Sequence, residues 1–245
     1  MMKNFAHRGF SGKYPENTML AFDEACKTKG CDGIELDVHL SADGELVIIH
    51  DEEVDRTAVA GHGLVMRMTF DELRALDMSY IYAGQCERQV MPTLREYLDL
   101  VKAYDIETNI ELKTGVYEYP GIEQKTYDLI RAYGMEERVI ISSFNHHSVL
   151  RFKKIAPHIR CGLLSDSWLI DTGAYVQKCG VEYYHPIFNN MTPEYVRDLR
   201  DHGIGINVWT VNEPEDVKRM LDAGVDCAIG NYPDRTAKIR AAYVV

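Results

Sequence analysis

Glu35 and Asp37 stand two apart in the run Gly33-Ile34-Glu35-Leu36-Asp37-Val38. On a strand, residues two apart point to the same face. Two carboxylates turned inward from an otherwise apolar run are costly to bury unless something neutralises them. A hard divalent cation does so, because it prefers carboxylate oxygens. An edge strand with both groups in solvent is the alternative. Ile110-Glu111-Leu112-Lys113 repeats the pattern. Glu111 then reads as a third metal ligand and Lys113 as a phosphate contact, or the two form a buried ion pair.

His7-Arg8-Gly9 ends the first apolar run, Asn4 to Ala6. Arg8 offers planar, permanently charged donors suited to phosphate oxygens. Gly9 permits a tight turn and the close approach of a ligand. A histidine at a strand end is also a common structural residue. His50 supplies a second imidazole, in Leu46-Val47-Ile48-Ile49-His50-Asp51. Only Ser41-Ala42-Asp43-Gly44 separates this run from the Glu35–Asp37 strand, and Asp-Gly signals a hairpin. A turn centred on Asp43-Gly44 sets Asp37 opposite His50. Two histidines near one phosphate can serve as general acid and general base.

The other histidines are weaker candidates. His146-His147 opens a helix, and solvation accounts for His39, His62, His158 and His202. His185 precedes a proline at a strand end, where it is placed to line a mouth. Neither the GxSxG pattern of serine hydrolases nor the HExxH zinc pattern occurs.

The elements that must position these groups alternate. Strands are expected at 4–6, 33–38, 108–112, 138–142, 160–164, 182–185, 205–209 and 226–229. Helices are expected at 17–29, 94–104, 122–133, 146–156, 172–179, 193–202, 214–222 and 234–242. Pro193 and Pro214 suit the first turns of their helices. Eight strands in a βα rhythm imply a closed parallel barrel. An open doubly wound sheet is the competitor, but no Gly-rich phosphate loop follows the first strand. The strand at 46–51 interrupts the rhythm and reads as a hairpin extension of the second barrel strand. Residues from 52 to about 90 fit no barrel unit. With an alternating stretch at 64–68 and a short helix at 71–76, they read as a small insertion within a single domain spanning 1–245.

Bulk properties agree with an ordinary globular protein. The 245 residues suffice for one barrel, and the composition is 46% hydrophobic and 27% charged. A net charge of −11 argues against nucleic acid and against stable association with anionic membranes. Six irregularly spaced cysteines read as free thiols; Cys161 and Cys227, in apolar strands, read as small core residues. The Met1 to His7 start lacks an apolar signal region, and no run of about 18 apolar residues occurs. A cytoplasmic location is the expectation. The sequence does not fix an oligomeric state.

In order along the chain, Ala6-His7-Arg8-Gly9, Pro15-Glu16-Asn17-Thr18, Glu35-Leu36-Asp37-Val38, His50-Asp51, Arg56-Thr57, Pro92-Thr93-Leu94, Glu111-Leu112-Lys113, Val208-Trp209-Thr210-Val211-Asn212 and Asn231-Tyr232-Pro233-Asp234 resemble the glycerophosphodiester phosphodiesterase family, in its bacterial cytosolic type. The resemblance implies a TIM (β/α)8 barrel with an insertion after the His50-Asp51 segment. It implies hydrolysis of a small glycerophosphodiester to glycerol 3-phosphate and an alcohol, with one divalent cation, Mg²⁺ or Ca²⁺. His7 and His50 then correspond to the catalytic histidines, Glu35, Asp37 and Glu111 to the metal ligands, and Arg8 and Lys113 to phosphate contacts. Trp209 matches an aromatic residue on the glycerol side of the pocket, or it is a packed barrel aromatic. Glu16 and Asn17 match a supporting loop. The closing motif has Asn231 where an acidic residue is common. The attacking oxygen is either water or the substrate's own 2-hydroxyl. Three rival readings are a barrel acting on a lysophospholipid or phosphoinositide, a phosphate-binding module without catalysis, and a sugar-processing barrel using two carboxylates. The histidine pair and the Arg8/Lys113 contacts fit the last poorly.

Overall fold

The protein is described by a computed structural model covering residues 1–243. Its strands are β1 Lys3–His7, β2 Gly33–Leu40, β3 Leu46–Ile48, β4 Glu107–Leu112, β5 Val139–Ser143, β6 Arg160–Ser165, β7 Tyr183–Pro186, β8 Gly205–Val208 and β9 Cys227–Gly230. Its α-helices are α1 Met19–Lys27, α2 Phe70–Arg74, α3 Leu94–Val101, α4 Ile122–Ala132, α5 His146–Ile155, α6 Thr172–Cys179, α7 Pro193–Asp201, α8 Pro214–Ala223 and α9 Pro233–Ala242. All strands but β3 are parallel, and pairing of β1 with both β9 and β2 closes them into an eight-stranded barrel.

Period-two alternation explains what each face of the barrel does. Ile34, Leu36 and Val38 on β2, with Ile110 and Leu112 on β4, join the main apolar core under the helices. The alternate residues, Glu35, Asp37, Asn109 and Glu111, therefore turn into the barrel. The lower lumen is filled by Phe5, Cys227 and Ile229. Hydrogen bonds of 3.0 Å, from Asn109 Nδ2 to Ser142 Oγ and from Asn207 Nδ2 to His185 Nε2, satisfy part of its polar lining.

Five helices, α1, α2, α3, α5 and α7, begin at a side-chain cap. Thr18 Oγ1 accepts the Ala21 N–H at 3.2 Å, and Thr93 with Glu96 forms a reciprocal capping box at the start of α3. Pro193, Pro214 and Pro233 open α7, α8 and α9. All six cysteines are free, with Cys161 and Cys227 buried. No helix among the described residues is long and apolar enough to cross a membrane.

β3 folds back antiparallel onto the upper end of β2, with Val38 opposite Ile48, His39 opposite Val47 and Leu40 opposite Leu46. This register sets Asp37 opposite Ile49, one residue short of the predicted His50. The turn is longer than the Asp-Gly signal implied: Ser41 and Glu45 close a three-residue loop through the Ser41 N–H to the Glu45 carbonyl, at 3.0 Å. Gly44, at φ +85°, takes the left-handed position such loops need.

β3 is also a shared wall. Leu46 and Ile48 face the main core, whereas Val47 and Ile49 face a second core with Val54, Ala58, Val65, Leu73, Met78 and Met91. That second core belongs to the segment between β3 and α3. There, the predicted alternating stretch at 64–68 is a 3-10 turn, Val65–Arg67, rather than a strand. With only Val65 buried, the segment gains more from one apolar anchor than from strand pairing.

Candidate functional site

The site residues converge at the C-terminal ends of β1, β2 and β4. Strand register brings them together: His7 pairs with Glu35, and Asp37 with Glu111. In parallel neighbours, paired residues share a face, so the lumen receives all four side chains. Glu35, Asp37 and Glu111 are buried, and one oxygen from each lies within 4.8 Å of the others.

Two cations stand against these three carboxylates. Lys113 Nζ donates to Glu111 Oε1 at 2.8 Å and lies 3.8 Å from Asp37 Oδ1. Arg8 donates through its backbone N–H to Glu35 Oε2 at 3.0 Å, while its side chain reaches Glu16 Oε1 at 2.9 Å and lies 3.5 Å from Asp37 Oδ2. The predicted Glu111–Lys113 ion pair is thus present within the larger cluster. Both Arg8 and Gly9 have positive φ, +56° and +77°. A Cβ on Gly9 would meet the Ala21 backbone at 2.7 Å, so this turn demands glycine at that position. It is the turn that aims the Arg8 N–H at Glu35.

Burial raises the Glu35 carboxyl well above the usual carboxylate range, and the charges of Asp37 and Glu111 push the same way. Burial also raises Glu111, with Lys113 opposing. Asp37 goes the other way: burial disfavours its charge, but Arg8, Lys113, His50 and the Asn17 bond hold its carboxyl below the usual range. The protein's own cations therefore neutralise Asp37 and leave Glu35 and Glu111 under-compensated. Asp37 Oδ1 is buried with no hydrogen-bond partner. An all-oxygen donor set with an unspent carboxylate oxygen fits a hard divalent cation.

His7 and His50 flank this cluster. His7 Nε2 lies 3.9 Å from Glu35 Oε2, and Nδ1 is 2.7 Å from Asn231 Oδ1. An amide oxygen only accepts, so Nδ1 carries the ring proton and Nε2 presents its lone pair to the lumen. Burial, helped by Arg8, pushes His7 down to about 3. His50 follows Ile49, whose N–H donates to the Asp37 carbonyl at 3.1 Å. Its Nδ1 lies 2.6 Å from Asp51 Oδ1, and its charge bears on both Asp37 and Glu111. Arg56 fastens that side, donating to Asp51 at 2.6 Å and 3.0 Å and to Glu16 at 2.7 Å and 2.9 Å.

Trp209 lies beyond the end of β8, its indole N–H donating to the His185 carbonyl at 2.8 Å. Phe144 meets it edge-on, with ring centroids 5.5 Å apart. Trp209 is therefore at the mouth, partly exposed, rather than packed wholly within the barrel.

Several residues carry more, or something else, than the sequence indicated. Asn17, assigned no direct chemistry, donates to Asp37 Oδ2 at 2.8 Å from a positive-φ backbone. Glu16 links Arg8 to Arg56. Asn231, the departure in the closing motif, is the direct partner of His7. His39 is not solvated but fully buried between the Tyr119 hydroxyl at 2.8 Å and the His50 carbonyl at 3.3 Å. His185 is fully buried beside Asn207 and does not line the mouth. These contacts join residues far apart in the sequence, which local spacing does not reveal.

Comparisons with known proteins give the family and the fold. A family model described as "Glycerophosphoryl diester phosphodiesterase family" matches residues 7–235. A glycerophosphodiester phosphodiesterase of Caldanaerobacter subterraneus subsp. tengcongensis is 44% identical, over 94% of this chain and 93% of that protein. One from Bacillus altitudinis is 42% identical over 98% of each. Among solved structures, a glycerophosphodiester phosphodiesterase from Agrobacterium tumefaciens superposes with a TM-score of 0.84 at 30% identity, covering 97% of this chain and 100% of that one. An Oleispira antarctica phosphodiesterase in complex with the product sn-glycerol-3-phosphate has a TM-score of 0.87 at 26% identity, covering 98% and 96%.

Proposed function

The chain belongs to the glycerophosphoryl diester phosphodiesterase family and is a phosphodiester hydrolase, and we propose that its buried carboxylate cluster, flanked by His7 and His50, splits glycerophosphodiesters to glycerol 3-phosphate and an alcohol with the help of one divalent cation. The observation that carries this reading is the meeting of Glu35, Asp37 and Glu111 within 4.8 Å, with the His7 ring 3.9 Å from Glu35.

Glu35, Asp37 and Glu111 would hold the cation, Mg²⁺ or Ca²⁺, which when bound supplies positive charge to a phosphate oxygen. Arg8 and Lys113 add fixed positive charge for the other non-bridging oxygens. Neither pivots freely, because Glu16 and Glu111 already hold them. Charge that develops on the phosphoryl group thus meets donors in place.

The two imidazoles take different roles. His7 is neutral, with Nδ1–H fixed on Asn231 and Nε2 open, so it accepts the proton of the attacking hydroxyl. His50 has Asp51 at Nδ1, a counter-charge for the ring when it carries two protons, and it donates to the departing alcohol oxygen from Nε2. Trp209 at the mouth packs against the glycerol end. The attacking hydroxyl belongs to water or to the substrate's 2-carbon. A 2-deoxy analogue distinguishes them: normal cleavage excludes the internal route, and loss of cleavage supports it.

The reading is tested by resolving products from glycerophosphocholine and glycerophosphoglycerol with controlled metal. Release of glycerol 3-phosphate from both supports it. Absence of release at every metal concentration contradicts it.

A further inference from the structure

At the C-terminal face of the barrel lies a groove of about 470 Å³ formed by the loops after β5 and β6 and the start of α6. Its walls include Phe144, Leu164, Ile170 and Tyr175, and it contains the Asp166 carboxylate but no lysine or arginine among the described lining residues. Phe144 is 41% exposed and Ile170 89%, so large apolar surface faces solvent here.

Most polar atoms of the groove are engaged within the protein: Ser167 Oγ donates to Asp166 Oδ1 and Ser165 Oγ accepts the Ser167 N–H, each at 3.1 Å. His146 Nε2 is 2.8 Å from the Leu164 carbonyl, which requires the N–H on that nitrogen. His146 Nδ1 then accepts the Tyr175 hydroxyl at 2.7 Å in the neutral ring. What remains facing the groove is mainly ring and aliphatic surface, with the Asp166 carboxylate and the Ser165 and Ser167 side chains.

Strand register joins the groove to the reaction centre. Glu111 pairs with Ser142 across β4 and β5. Two residues further along each chain stand Lys113 and Phe144, each just past the end of its strand. Ser143 Oγ donates to the Leu112 carbonyl at 2.7 Å, and Asn145 Nδ2 to the Thr114 carbonyl at 3.0 Å, so the residues on both sides of Phe144 are tied to those on both sides of Lys113. Phe144 is therefore fastened beside the Lys113 segment while lining the groove, and Trp209 meets it edge-on.

We propose that this groove is the leaving-alcohol subsite and that it selects an alcohol ending in a methylated ammonium, with Phe144 and Tyr175 supplying aromatic surface and Asp166 the counter-charge. This rests on the proposed reading that the carboxylate cluster cleaves a glycerophosphodiester, and it specifies which part of the substrate turns toward β6. A methylated ammonium is bulky, apolar at its surface and positive, and it is attracted to aromatic surface and to a carboxylate together. An anionic alcohol would meet Asp166 with no cation to offset it. A purely polar alcohol would find most of the groove's hydrogen-bonding atoms already engaged.

The experiment compares kcat/KM for glycerophosphocholine and glycerophosphoglycerol in the wild type and in Phe144→Ala, Phe144→Tyr and Asp166→Asn. The wild type prefers the choline diester. Phe144→Ala and Asp166→Asn each reduce the choline-to-glycerol ratio by roughly three- to tenfold, chiefly through KM, and Phe144→Tyr retains it. Circular dichroism confirms that each variant is folded. A wild type without preference, or a ratio unchanged in both Phe144→Ala and Asp166→Asn while both diesters are cleaved, overturns the subsite assignment alone. Failure to cleave either diester overturns the proposed function itself, and the subsite with it.

Discussion

His7 and Glu35 are register partners on adjacent parallel strands, and the free ring nitrogen of His7 stands 3.9 Å from the Glu35 carboxylate. The strand ladder itself thus sets the spacing between the His7 imidazole and the Glu35 carboxylate. His50 comes to the cluster differently, on the far arm of a hairpin held by Asp51 and Arg56. Substituting His7 or His50 with Ala is predicted to lower kcat by about 10²–10⁴ with the fold intact. Steady-state hydrolysis with circular dichroism checks it, and near-wild-type turnover in either variant removes that histidine from the mechanism.

Glu35 and Glu111 are buried carboxyls that the protein's own cations leave under-compensated. A divalent cation bound there stabilises the folded state by RT ln(1 + [L]/Kd), about 2.7 kcal/mol at a hundredfold excess over Kd. Thermal unfolding should therefore shift upward with Mg²⁺ or Ca²⁺ in the wild type, and much less in Glu111→Gln. Equal shifts in the two proteins place the cation elsewhere.

Gly9 turns the chain so that the Arg8 N–H reaches Glu35. Alanine at this position carries a left-handed backbone cost of about 1–2 kcal/mol, and its Cβ would also press on the Ala21 backbone at 2.7 Å. Gly9→Ala should lower both the unfolding midpoint and kcat. Loss of stability without loss of kcat would show that the turn does not position Arg8.

Much of the site was legible in the sequence because strand periodicity is a local property. Glu35 with Asp37, and Glu111 with Lys113, share faces by spacing alone. The His50 hairpin was legible only to one residue, because loop length depended on the Ser41–Glu45 closure rather than on Asp-Gly. Asn231 was opaque: it lies 224 positions from His7, and only barrel closure through β1 and β9 brings them together. His39 was misread because a histidine between Val38 and Leu40 gives no sign that Tyr119, 80 residues away, receives its ring. The 3-10 turn at Val65 depended likewise on an apolar core shared with β3.

His185 is buried among barrel residues, and burial pushes it down to about 3. The unfolded chain binds a proton there near pH 6.5, while the folded protein resists it until near 3. The unfolded state therefore holds more protons in this window, so stability rises with pH across it and is lost as pH falls. Denaturant unfolding between pH 4 and about 7 should show this slope, and His185→Gln should make it shallower. An unchanged slope assigns the acid sensitivity to other groups.

The most direct test of the central claim is glycerol 3-phosphate release by protein stripped with a chelator, before and after Mg²⁺ or Ca²⁺ is returned. The account predicts that stripping abolishes release and that one of the two cations restores it, with no restoration in Glu111→Gln. Undiminished release after exhaustive chelation would contradict it.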